Sequence, residues 1–75
     1  MENLIGKYIK HKRKELRLTQ KDLAEKSGVG IRFIRELEAG KQTVMLNKVG
    51  QVLKLFGDVL YPVPGNKIEN YIKNN

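Results

Sequence analysis

The side chains of this chain best placed to do chemistry lie between Thr19 and Lys41, in the run TQKDLAEKSGVGIRFIRELEAGK. The run reads as two short helices joined by a glycine-bearing turn, in a chain with fifteen Lys and Arg against eight Asp and Glu and a net charge of +7. The chemistry this suits is the binding of a polyanion, and DNA in particular, because the second helix of such a unit enters the major groove. Catalysis is not indicated. There is no nucleophile beside a base and no carboxylate dyad, and Gly-Val-Gly at 28–30 is too short, and lies between two helices, to cradle a phosphate. The chain has no Cys, which rules out disulfides and thiolate metal sites, and the lone His11 builds no metal site without several carboxylate helpers. No catalytic residue, metal or cofactor is expected.

These residues need helices to position them. Thr19 is a natural N-cap, with Asp22 three residues on as an approximate capping partner, so a helix is expected over Gln20 to Ser27. Gly28 supplies the positive φ that stops it, and Val29 is an apolar residue available to pin the turn under the core. The second helix of the unit is expected from about Gly30 to Ala39, ending at Gly40. Leu23, Ala24, Val29, Ile34 and Leu37 supply one continuous apolar face and so pack instead of reading DNA. Before the unit, a helix over about Leu4 to Arg17 would carry Ile5, Ile9 and Leu16 on a face that includes Arg13, with Lys7, Lys10, Lys12 and Lys14 facing water or phosphate. After it, a helix from Met45 or Leu46 to Phe56 would bury Leu46, Val49, Val52, Leu53 and Phe56 and stop at Gly57. Gly50 weakens that helix by about 1 kcal/mol relative to Ala unless a close helix contact compensates. Val59 to Val63 alternates β-branched, apolar and aromatic residues and reads as a short strand that Pro62 confines to an edge. One strand makes no sheet, so it is expected to pair with its twin across a two-fold axis.

Length and charge set the bounds. Seventy-five residues amount to one domain, at a size where a single core is only marginally stabilising and a partner subunit helps. Residues 1–17 carry a net +4, residues 18–57 +3 and residues 58–75 zero, so a polyanion would meet the first two-thirds and the neutral end is left to meet protein. No apolar run approaches the roughly 20 residues of a membrane span, and no signal-peptide core opens the chain; a cytoplasmic, nucleoid-associated location is expected. A basic helix lying on a membrane is the bland reading of residues 4–17, but its apolar stripe is narrow and lacks Trp or Phe anchors.

Residues 4–57 resemble the Cro/C1-type (Xre) helix-turn-helix domain of phage repressors, with TQxxLA opening the second helix and IxxLExGK closing the third. Within that family, the short chain with RFIRELEAGK followed by a terminal strand looks most like the HipB-type antitoxins. The resemblance implies a mainly α fold, a compact lambda-repressor-like domain of four to five helices over residues 1–57. It also implies a homodimer, in which the strand read over 58–63 is expected to pair with its twin and Phe56, Val59, Leu60, Tyr61 and Val63 to form the dimer contact. Residues 64–75 are polar and expected to be a flexible tail, although Ile68, Tyr71 and Ile72 could form one amphipathic turn on a partner.

By the same resemblance, Ile31, Arg32 and Glu36 fall at base-reading positions of the third helix, and Arg35 lies beside them. Arg32 could donate in bidentate fashion to guanine O6 and N7, Glu36 could accept from cytosine N4, and Ile31 could touch a thymine methyl. The plainer reading of Arg32 and Glu36 is an exposed i,i+4 ion pair. Gln20, with Lys21 beside it, matches a phosphate clamp at a helix N-terminus, or is simply a polar first-turn residue. Lys41, Gln42 and Thr43 match a loop that contacts phosphates and positions the protein without specifying sequence. Arg13 and Glu38 match a partly buried salt bridge joining the first helix to the end of the third. Phe33 departs from the small polar residue common at its position and is expected to pack on the first or second helix. The partners implied are double-stranded DNA with a palindromic operator, a second copy of the chain, and a HipA-like kinase toxin whose operon the protein would autorepress. A phage-type or stand-alone regulator, a protein-interaction module that keeps the fold without specific DNA binding, and a non-specific RNA or nucleoid protein remain alternatives.

Overall fold

A computed structural model of the chain describes residues 4–67. Four helices follow in order, α1 (Leu4–Glu15), α2 (Gln20–Ser27), α3 (Ile31–Glu38) and α4 (Leu46–Leu55), with a single 3-10 turn at Gly65–Lys67. Helix α2 packs on α3 and α4, and α1 packs on α3. The core is one cluster of Ile9, Leu23, Ala24, Ile34, Leu37, Val49, Val52 and Leu53, with Ile5, Leu18, Val29, Ile31, Phe33, Val44 and Phe56 packed around it. Ile5 and Ile9 in α1, Ile31, Ile34 and Leu37 in α3, and Val49, Val52 and Leu53 in α4 face this cluster at three- and four-residue spacing or side by side, as on an amphipathic helix, and α2 contributes the adjacent Leu23 and Ala24.

Local signals fix the ends. Thr19 and Asp22 form a full capping box: the Asp22 N–H donates to Thr19 Oγ1 at 3.0 Å and the Thr19 N–H donates to Asp22 Oδ2 at 2.9 Å. At the other end of α2, Gly28 takes φ +80° and both its N–H and that of Val29 donate to the Ala24 carbonyl. The same type of termination closes α3 and α4 at glycines. Helix α1 closes this way too, two residues before the expected Arg17, but with Arg17 itself at φ +57°. The N–H groups of Arg17 and Leu18 donate to the carbonyls of Lys14 and Arg13. An arginine thus sits in the left-handed region, where an L side chain costs roughly 1–2 kcal/mol.

Two apolar residues expected inside are outside: Leu16 is 53% and Leu46 68% exposed. Leu16 lies just past the end of α1 and Leu46 is the first residue of α4, so the periodicity of each helix marks an inner face that these positions no longer share. Helix α3 begins at Ile31, one residue later than expected, because Gly30 serves as its N-cap in extended backbone. The close helix approach that could have compensated Gly50 is absent there, since a Cβ at Gly50 would meet nothing within 4 Å. It occurs instead at Gly6 in α1, where a Cβ would strike the main-chain carbonyl of Leu37 in α3.

Residues 59–64 form no helix or strand. Among the described residues there is no strand, as a lone β segment in a single chain has no neighbour to bond. Ile68, Tyr71 and Ile72, the expected amphipathic turn, lie outside the described residues.

Candidate nucleic-acid interface

Helix α3 has a fixed inner face and an open outer one. Ile34 and Leu37 are fully buried, and Glu38 anchors the helix end to α1. The Arg13 guanidinium donates from Nε to Glu38 Oε2 at 2.8 Å and from Nη2 to Oε1 at 2.9 Å, and Nη1 donates to the Leu18 carbonyl at 2.8 Å. The two side chains are only 11% and 3% exposed. This fork matches the planar carboxylate, the geometry that makes such pairs strong. It holds the guanidinium above its ordinary pKa, with burial opposing. Gln20 joins the group, its amide donating to Glu38 Oε1 at 3.2 Å. The first residue of α2, the end of α1 and the end of α3 are thereby tied at one carboxylate.

The outer face carries Arg32, Arg35 and Glu36. Arg32 and Arg35 are exposed, and Arg32 Nε donates to Glu36 Oε1 at 3.1 Å with its side chain 89% exposed. The other oxygen of Glu36 accepts from Lys41 Nζ at 2.9 Å. Lys41 and Arg32, in that order of effect, hold the Glu36 carboxyl below its ordinary range. Ile31 is half-buried against the core, so only part of its side chain is left for an outside contact. Lys21, Lys41, Gln42 and Thr43 are exposed. The structure therefore brings Ile31, Arg32, Arg35 and Glu36 onto one helix, with Lys41 joined to them through Glu36.

Phe33 packs against the core, as an aromatic not spent on DNA would. It is half-buried at the core edge, with Lys48 Nζ of α4 5.8 Å from its ring centroid. It lines a shallow cavity of about 350 Å³ with Arg32, Val44, Met45 and Lys48. The ring thus faces the start of α4, and Lys48 joins the basic rim of the interface by a contact that no short-range pattern signals.

After α4, Val59 and Tyr61 are 78% and 79% exposed, Leu60 is 40% exposed, and Phe56 and Val63 are half-buried. Leu4, Tyr8, Leu53, Val59 and Leu60 line an apolar groove of about 590 Å³. Tyr8 donates its hydroxyl to Asp58 Oδ2 at 2.6 Å, which fastens the segment after α4 to α1. That bond, with partial burial and nearby carboxylates, pushes the Tyr8 pKa up to about 12.

Residues 9–59 match the helix-turn-helix family profile, from the middle of α1 to just past α4. The chain belongs to the Cro/C1-type (Xre) helix-turn-helix family. It is 49% identical over 61 residues to an uncharacterised HTH-type transcriptional regulator, y4mF, of Sinorhizobium fredii (strain NBRC 101917 / NGR234), covering 77% of this chain and 80% of that protein. No solved structure matches. Membership assigns α2 and α3 to the helix-turn-helix unit and makes α3 the recognition helix. Among the described residues, no helix is long and apolar enough to cross a membrane and no three His, Asp or Glu side chains gather to hold a metal.

Proposed function

We propose that this Xre-type regulator is a homodimeric, sequence-specific repressor that reads an inverted repeat with α3, and that it serves as the antitoxin of a HipBA-like operon whose promoter it occludes. It acts by binding and not by catalysis. The observation that carries the DNA reading is the outer face of α3: Arg32 and Arg35 stand exposed on a helix whose inner face is locked by Ile34, Leu37 and the Arg13–Glu38 fork. A rigid helix with exposed arginines suits bidentate readout of guanine in the major groove. Gln20, Lys21, Lys41, Gln42 and Thr43 flank it as candidates for phosphate contacts that set register.

Dimerisation is supported by the exposed Val59, Leu60 and Tyr61, which would find partners if residues 59–63 paired as strands across a two-fold axis. Two recognition helices would then enter successive major grooves roughly 34 Å apart. The antitoxin role rests on the likeness of RFIRELEAGK and the neutral end to HipB-type chains. Co-expression with the neighbouring gene product tests it, with relief of toxicity as the expected result.

The DNA reading is tested by selection from a random duplex pool with the wild-type chain. An enriched inverted repeat with half-site centres about one turn apart is expected. No enriched sequence would refute it and would favour a protein-binding module on the same fold.

A further inference from the structure

Glu36 occupies a base-reading position of the family, yet both of its carboxylate oxygens are engaged within the protein. Oε1 takes Arg32 Nε and Oε2 takes Lys41 Nζ, and the Lys41 N–H also donates to the Glu36 carbonyl at 3.0 Å. One side chain thus connects the candidate base reader on α3 with a candidate phosphate contact in the following loop. The atoms used are informative. The bond to Arg32 is made through Nε, so the two terminal nitrogens of this 89% exposed side chain remain for the O6 and N7 of one guanine, which need a fork approaching end-on. An unbuttressed arginine on an exposed helix face has many rotamers and finds a phosphate as readily as a base.

We propose that Glu36 is a positioning residue that acts through Arg32: it holds the guanidinium end-on for guanine, keeps Lys41 beside it, and sets specificity without reading a base itself. This rests on the DNA reading of α3 proposed above. The carboxylate serves discrimination twice. It steers Arg32 away from phosphates, and its negative charge, brought against the duplex, penalises every complex in which Arg32 and Lys41 are not both well used.

The test is a double-mutant cycle of Glu36→Ala and Arg32→Ala. Affinity is measured on the duplex selected by the wild type, on the same duplex with guanine changed to 7-deazaguanine, and on a random-sequence duplex, each across a salt series. Glu36 is half-buried and Arg32 exposed, both lie on a helix and alanine is the best helix former, so the fold is expected to stay intact, which circular dichroism checks. With Glu36→Ala, random-duplex affinity is expected to rise and its salt slope to steepen by about one for each cation released to a phosphate. The ratio of selected to random affinity should fall about tenfold, and the penalty for 7-deazaguanine should shrink with it. In the Arg32→Ala background, Glu36→Ala should leave the specificity ratio and the deazaguanine response unchanged. An equal loss of specificity in that background would mean that Glu36 reads a base directly, and would overturn the inference. So would an unchanged ratio in the single variant while the wild type still prefers its selected duplex; the DNA reading would survive in both cases. A wild type with no preferred duplex would remove both readings together.

Discussion

Truncating Glu38 to alanine strands the guanidinium of Arg13. In the wild type, two of its nitrogens are met by the Glu38 carboxylate and a third by the Leu18 carbonyl. Glu38→Ala leaves Nε and Nη2 without an acceptor at a side chain only 11% exposed, and removes the acceptor of the Gln20 amide as well. Breaking one side of a buried pair costs about 3–5 kcal/mol, because the remaining charge stays desolvated. A domain of this size has a total stability on the order of 4–11 kcal/mol, so the variant should lose at least about a quarter of it and at the low end all of it. With a urea m-value of about 1–2 kcal/mol/M, the midpoint should fall by roughly 1.5–5 M. Equilibrium unfolding followed by circular dichroism reads this directly. Replacing both partners, Arg13→Met with Glu38→Leu, removes the stranded charge and should destabilise less than Glu38→Ala alone. A loss below about 1 kcal/mol for Glu38→Ala would refute the view that this carboxylate fixes α1 to the end of α3.

Two glycines should respond in opposite directions. Gly6→Ala drives a methyl into the Leu37 carbonyl and should cost about 1–3 kcal/mol, whereas Gly50→Ala meets open space and should gain about 1 kcal/mol; thermal unfolding of both separates them. Arg17→Gly relieves the left-handed arginine at the end of α1 and should raise Tm by a few degrees, the equivalent of up to about 1 kcal/mol, while Arg17→Ala should not. Because the Tyr8 pKa is raised in the folded chain to about 12, its contribution is present below its ordinary value near 10 and is lost as pH rises through about 12. Tyr8→Phe should therefore be less stable than wild type by at most about 1 kcal/mol at neutral pH, the bond being exposed, and the gap should close at the alkaline end of a pH series of unfolding curves.

What the sequence reveals here is short-range. Thr19, Asp22 and Gly28 mark the ends of α2 because a cap and a stop act on their own backbone neighbours, and Gly40 and Gly57 do the same for α3 and α4. The end of α1 was harder to see, since an arginine performs the left-handed turn that glycine usually makes. Leu16 and Leu46 show that periodicity gives the direction of a face and not its extent. The Arg13–Glu38 fork follows from family likeness and not from spacing. The contacts with no sequence signal join distant elements: Gly6 against Leu37, Lys48 over Phe33, and Tyr8 bonded to Asp58 fifty positions away. Within the candidate interface, types and spacing place Arg32, Arg35 and Glu36 on one helix face. Only the folded loop reveals that Lys41 returns to share the Glu36 carboxylate.

The most direct measurement of DNA readout by α3 is a titration of wild type and Arg32→Ala into the selected duplex and a scrambled one, at two salt concentrations. A wild-type preference of about a thousandfold or more, reduced by at least about tenfold in Arg32→Ala, is the expected result. Equal affinity of the wild type for both duplexes, or an undiminished preference in Arg32→Ala, would contradict it.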